Sequence, residues 1–275
     1  MAGAADHRPY YTACGKLLQA AGGKSVVSSA AVISRTRVQS VDITIFVIVF
    51  LAVLTQSVTG FGLALVAMGL LSRTLGVQTT APLIALIAVP LELALLVRHR
   101  QAVRWRPVWR LSLAALVGIP IGILGLKYVN ERIVLTILGL VIVAYAVYAL
   151  RVPRLPELRW PGWAFGFGFL SGLLGGAYNT AGPPAVVYGN TQRWEPAEFK
   201  SNLQGFFLIH DAMVITGHAW SQHYTPAVWT AWRAALPGLG LGLVVGLLVE
   251  KYINPAAFRL IVLWLLIAMG LRLVL

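Results

Sequence analysis

The sequence predicts an all-α polytopic membrane protein with about eight transmembrane spans. These form two four-span repeats, with spans 1 and 5 broken near the bilayer midplane. Composition is the first observation behind this reading. Of 275 residues, 58% are hydrophobic and only 11% charged, against about 25% charged in soluble domains, so most of the surface must face lipid. Apolar runs long enough to cross a hydrocarbon core of about 30 Å, which takes roughly 20 helical residues, are the second. The third is a set of helix breakers inside two of those runs.

In chain order the runs fall near 43–71, 77–97, 110–126, 132–150, 162–189, 201–217, 234–250 and 257–275. Residues 1–40 precede them, rich in Ala, Ser and Gly, with scattered Arg and Lys and no sustained apolar period. They are expected to form a disordered cytoplasmic tail, and no secretory h-region precedes Ile43. Cys14, the only cysteine, falls in this tail, which excludes an internal disulfide and a cysteine-based metal cluster. The expected organisation is this tail, a first membrane repeat at 41–150, a basic cytoplasmic linker at 151–161 and a second membrane repeat at 162–275.

Orientation follows from the 22 Lys and Arg residues. If spans 1 and 5 each cross once, the tail and the connections holding Arg98, Arg100, Arg104, Arg106, Arg151 and Arg159 share one side. The positive-inside rule makes that side cytoplasmic, with the N-terminus there too and the chain a multi-pass protein of the cytoplasmic (inner) membrane. Arg73, Lys127, Arg132, Arg193, Lys200, Lys251 and Arg259 then fall on the other side. A competing arrangement makes 43–71 and 162–189 re-entrant hairpins and inverts the second half. The formal net charge of +13 does not indicate nucleic-acid binding, because the cations sit at span ends, where they orient the chain and meet anionic lipid.

A shift of 124 positions superimposes Gly118-Ile119-Pro120-Ile121-Gly122 on Gly242-Leu243-Val244-Val245-Gly246, and Lys127-Tyr128-Val129-Asn130 on Lys251-Tyr252-Ile253-Asn254. His99 then meets His223, and Trp105 meets Trp229. With a slip of two, Thr59-Gly60-Phe61-Gly62 aligns with Ala181-Gly182-Pro183-Pro184, so each half would open on a broken helix. Gly-xxx-Gly spacings at Gly118/Gly122, Gly168/Gly172, Gly172/Gly176 and Gly242/Gly246 put small residues on one helix face and read as close packing.

Backbone that leaves the helix at membrane depth survives only where it is buried in protein or lines a cavity. A helix restarting there presents unpaired amides and its positive dipole end, a setting for an anion. The restarts are expected after Thr59-Gly60 and Gly182-Pro183. The candidate substrate-binding residues are Gln56, Ser57, Thr59, Gly60, Phe61 and Gly62 in one half, and Tyr178, Asn179, Thr180, Gly182 and Pro183 in the other. For Ser57 alone, a bond to its own backbone is the better reading.

Ionisable residues inside spans are costly and usually functional. His210 and Asp211 fall in the middle of 201–217, about 100° apart on a helix, so one is expected to face the cavity while the other caps or pairs with a neighbouring helix. A structural hydrogen bond is the favoured role for them and proton coupling the alternative. Glu92 is expected to pair with Arg98 or to snorkel. Lys200, Asn202 and Gln204 are candidates for the outer approach. With no Gly-xxxx-Gly-Lys-Ser/Thr loop, ATP hydrolysis by this chain is excluded. No His-Glu-xx-His is present either, and no metal or cofactor is expected.

Taken together, the four-span halves, the Thr-Gly-Phe-Gly break at Thr59–Gly62 and the glycine-rich run ending in Gly182-Pro183-Pro184 resemble the TauE/SafE family of membrane proteins, described as sulfite and organosulfonate exporters or permeases. The resemblance covers about 41–275. It implies a secondary transporter, not an enzyme, that moves a small sulfur-containing anion, sulfite or an organosulfonate, by alternating access. Export of such an anion is already favoured by an inside-negative potential. Asn179-Thr180 and the double proline depart from the more glycine-rich form that the family implies. An anion channel and a non-transporting assembly protein are the alternatives, and an intramembrane hydrolase a remoter one. The expected partners are the anion and the bilayer, with a homodimer compatible and nucleic acid excluded.

Overall fold

The computed structural model describes residues 24–128, 130–151, 156–250, 252 and 254–274. Cys14 and residues 1–23 of the expected tail lie outside them. Among the described residues all regular structure is helical, in the order α1 (Lys24–Thr59), α2 (Leu63–Leu75), α3 (Val77–His99), α4 (Trp105–Tyr128), α5 (Glu131–Arg151), α6 (Trp163–Tyr178), α7 (Gly182–Thr191), α8 (Pro196–Trp220), α9 (Pro226–Val249) and α10 (Pro255–Val274), with a 3-10 turn at Arg100–Ala102. The chain divides into two compact units, Met1–Thr44 and Ile45–Leu275, and the second holds the helical bundle.

Among the described residues, four helical stretches are long and apolar enough to cross a membrane: Asp42–Thr59, Val77–Ala102, Trp105–Gly125 and Pro226–Val249. Their outward faces fit lipid. Leu113, Leu116, Val117 and Leu124 on α4, and Leu241, Val244 and Leu248 on α9, are exposed, whereas Gln56, Glu92, Asn179, Gln204, His210 and Asp211 are buried. Apolar outside and polar inside is the arrangement that a bilayer solvent favours.

Glycine sets the helix packing. Gly168, Gly172 and Gly176 of α6 lie against the backbone at Leu111, Ala115 and Ile119 of α4, while Gly118 and Gly122 of α4 lie against Phe169–Leu173 and Leu173–Ala177 of α6. Residue numbers rise together on both helices, so α4 and α6 run parallel with their backbones in direct approach. In the same way, Gly238, Gly242 and Gly246 of α9 meet Phe46, Phe50 and Ser57 of α1. These two helices also run parallel.

The ends of the bundle can now be told apart. Glu250, just past α9, takes the ammonium of Lys200 near the start of α8, and lies 3.5 Å from Arg98 Nε and 3.7 Å from His99 Nε2 at the end of α3. Arg104 pairs with Glu198 beside them. Lys200 therefore shares an end with the arginine-rich connection, a correction to the expected opposite sides.

A second correction concerns the interrupted runs. α6 and α7 fold back on each other. Leu158 N–H donates to Thr191 O at 3.4 Å, Gln192 Nε2 donates to Leu158 O at 2.7 Å, and the Phe167 and Tyr188 rings stack at 5.8 Å. Thus 162–189 returns to the end it came from and does not cross once. The reversal is local: Asn179 adopts φ 52, and its N–H donates back to Gly175 O at 2.7 Å, a left-handed helix cap that turns the chain. The first interruption behaves alike. α1 and α3 both run toward the Glu250 end, and α2 joins α3 through Gly76 alone, at φ 75, so α2 runs away from that end. Gly60 and Gly62, at φ 85 and 112, supply the conformations that the turn from α1 to α2 needs.

Candidate functional site

Both turns open on one buried cavity. It is lined by Gln56 of α1, by Gly62, Leu63, Ala64 and Leu65 at the start of α2, by Ala88 and Glu92 of α3, by Asn179, Thr180, Ala181 and Gly182 at the α6–α7 turn, and by Phe207 and Asp211 of α8. Two helix N-termini therefore share a single space. The space open to the centre of a water-sized sphere is about 20 Å³, room for about one water.

Polar side chains fix the first turn. Gln56 Oε1 accepts from Leu63 N–H at 3.1 Å, capping α2, and Gln56 Nε2 reaches Gln204 Oε1 at 3.5 Å. Gln204 Nε2 donates to Gly60 O at 2.7 Å. Thr59 Oγ1 donates within its own segment, to Thr55 O at 2.8 Å or Phe61 O at 2.6 Å. Phe61 packs edge-on against Tyr145 of α5, with ring centroids 6.0 Å apart. Ser57 Oγ donates to Val53 O at 2.9 Å, the backbone bond expected of it.

The second turn is barer. Pro183 and Pro184 have no N–H, so the start of α7 offers its dipole but few amide donors. Thr180 Oγ1 reaches Leu174 O at 3.5 Å. Asn179 is 3% exposed, and its Oδ1 has no protein partner. Tyr178 is buried one position before the turn but does not line the cavity.

The ionisable residues depart from expectation. His210 Nδ1 lies 2.7 Å from Asp211 Oδ1, so the two residues pair with each other despite their angular separation. His210 Nε2 is pressed onto Gly175, where a Cβ would overlap it. Glu92 neither pairs with Arg98 nor snorkels. It is 2% exposed and lines the cavity together with Gln56 and Asp211. Asn202 Oδ1 accepts from Arg104 N–H at 2.6 Å, which fixes the turn before α4 and keeps Asn202 away from the cavity. Sequence reasoning did not single out Glu250 or Phe207. Glu250 had a signal, since it adjoins Lys251 at a span end. Phe207 had none among so many apolar residues. Outside the membrane-spanning helices, burial and the Asp211 charge both push the Tyr224 phenol upward.

The chain is 28% identical over 228 residues to the probable sulfite/organosulfonate exporter TauE of Cupriavidus necator, covering 80% of this chain and 88% of that one. It is 28% identical over 193 residues to the probable inner membrane transporter protein TsaS of Comamonas testosteroni, covering 70% of this chain and 81% of that one. No solved structure matches. The family model described as Sulfite exporter TauE/SafE matches residues 45–273, so this chain belongs to that family of membrane transporters and is not an enzyme.

Proposed function

We propose that the protein is a secondary transporter that moves a small sulfur-containing anion, sulfite or an organosulfonate, across the cytoplasmic membrane. Export proceeds by alternating access, with the anion held between the two helix N-termini. The observation that carries this reading is the shared cavity: α2 and α7 both begin at it and leave in opposite directions. With 13 and 10 residues they are about 20 and 15 Å long, at 1.5 Å per residue. Neither length crosses a core of about 30 Å, so the cavity falls at mid-depth, where repeat-related broken helices commonly hold substrate. Gln56 and Asn179 add uncharged groups, which suit an anion that must leave again.

The repeat reading supports the same mechanism. Pairing α1–α5 with α6–α10 matches helix with helix. Each half then holds an odd number of segments, five, so one half is inverted relative to the other. The glycine contacts obey this exchange, because α4 packs on α6 as α9 packs on α1. Each half thus grips the interrupted helix of the other, and rocking of the halves changes the cavity's access. In this arrangement the connections holding Arg98, Arg100, Arg104, Arg106, Arg151 and Arg159 share an end with Lys200. The positive-inside rule makes that end cytoplasmic and puts Ile45 at the outer end, reversing the orientation expected from the sequence.

The test is flux of labelled sulfite into proteoliposomes under an imposed potential, competed with sulfate, thiosulfate, sulfoacetate and taurine, for wild type and Asn179→Ala. Saturable flux that competitors block and the substitution weakens is expected. Unsaturable flux without counterflow would favour a channel. No flux from folded protein would remove the transport of these anions.

A further inference from the structure

We propose that Glu92 and Asp211 hold one shared proton that travels with the anion, so that the protein is a proton–anion symporter. This deepens, and rests on, the transport reading above.

The two carboxyl groups come from different helices, α3 and α8, are 2% and 4% exposed, and line one cavity of about 20 Å³. Among the described residues they are the only charged ones lining it. The nearby cations are used elsewhere: Arg98 and Lys200 pair with Glu250, and Arg104 pairs with Glu198, all at the end of the bundle. The titratable groups acting on the pair are His210, whose Nδ1 lies 2.7 Å from Asp211 Oδ1, and Tyr224 in the turn after α8, which feels the Asp211 charge. The walls from α1, α2, α6 and α7 are uncharged. Two carboxyls buried side by side in so small a space repel each other when both are ionised, whereas one proton between them makes a charge-assisted hydrogen bond. That proton belongs to the pair and not to either residue.

Each wall carries an oxygen acceptor with no donor, which a proton in the cavity can satisfy and an anion alone cannot. Glu92 Oε2 and Asn179 Oδ1 are buried and lack a hydrogen-bond partner, although both residues line the cavity. An anion seated at the α2 and α7 N-termini would face the carboxyl pair at close range. A doubly ionised pair would repel it, while a protonated pair presents a donor. Proton and anion therefore occupy the cavity together. One proton with one monoanion crosses as a neutral unit, so the membrane potential drops out, and export runs only while the outward anion gradient exceeds the inward pH gradient.

Two measurements test this on the full-length protein. The first is infrared difference spectroscopy of purified protein at neutral pH. Wild type is expected to show a protonated carboxylic-acid C=O band that is lost in both Glu92→Gln and Asp211→Asn. The second is flux of methanesulfonate, a monoanion at every working pH, into proteoliposomes that carry a trapped pH dye. Wild type is expected to co-transport protons, to speed up about tenfold per unit fall in external pH while the proton is limiting, and to ignore an imposed potential. Glu92→Gln is expected to lose the pH dependence and become potential-driven. Absence of the infrared band in wild type, or anion flux without proton movement, overturns the proposal and leaves the transport reading standing. The band without any anion flux supports the shared proton and removes the transport reading instead.

Discussion

Lys200 on α8 and Glu250 beyond α9 form a partly buried ion pair, and the Lys200 stem lies against Gly60 at the turn between α1 and α2. The pair ties α8 to the end of α9 and holds the Lys200 stem on the turn after α1. Its side chains are 17% and 15% exposed, so solvent screens them less than a surface pair. A double-mutant cycle with Lys200→Met and Glu250→Gln is expected to give a coupling of about 1 kcal/mol in thermal stability. Coupling near zero would mean that this end of the bundle is held by packing alone.

The glycines of α6 separate packing from composition. A Cβ on Gly172 would run into the Ala115 backbone, whereas one on Gly166 meets nothing within 4 Å. Gly172→Ala is therefore expected to lower stability by about 1–3 kcal/mol. Gly166→Ala should stay level or gain slightly, since alanine favours helix. Melting followed by size-exclusion fluorescence distinguishes them, and equal melting points would contradict the close approach of α4 and α6.

How much of this was legible beforehand depends on the residue. Composition alone gave the helical membrane class, because few charges leave only lipid as solvent. Helix ends near Gly60 and Asn179 were also legible, since glycine and asparagine tolerate left-handed backbone. The direction taken after each turn was not. It depends on glycine faces that meet elements far away in sequence, such as Gly246 on Ser57. Glu92 illustrates a subtler loss. It precedes Arg98 by six residues, but six helical steps of about 100° leave the two side chains about 120° apart, so Glu92 turns inward while Arg98 reaches Glu250. Among the candidate residues, Gln56, Gly62, Asn179, Thr180, Gly182, Glu92 and Asp211 line the cavity. Ser57, Lys200 and Asn202 serve the backbone, an end-of-bundle ion pair and a turn.

The orientation argued from the hairpins makes its own prediction. Gln101 and Gln222 are both exposed, in the turns after α3 and α8, at opposite ends of the bundle. In a Cys14→Ser background, Gln222→Cys is expected to react with a membrane-impermeant maleimide on intact cells. Gln101→Cys should react only after permeabilisation. The reverse pattern would put the arginine-rich end outside and break the positive-inside assignment.

Asn179 plays two roles that substitution can separate. Its backbone, at φ 52, ends α6, and its side chain presents an unpartnered Oδ1 to the cavity. Asn179→Gly keeps the turn and removes the side chain, so stability should hold while saturable sulfite flux falls. Asn179→Ala removes the side chain and also strains the left-handed residue, at a further cost of about 1 kcal/mol, so both flux and melting temperature should drop. Asn179→Asp keeps the shape but adds a negative charge beside the anion and the carboxyl pair, and is expected to impair flux most, with partial recovery at low pH. If Asn179→Gly carries sulfite as well as wild type does, the side chain has no part in binding, and the cavity holds its anion by the helix ends alone.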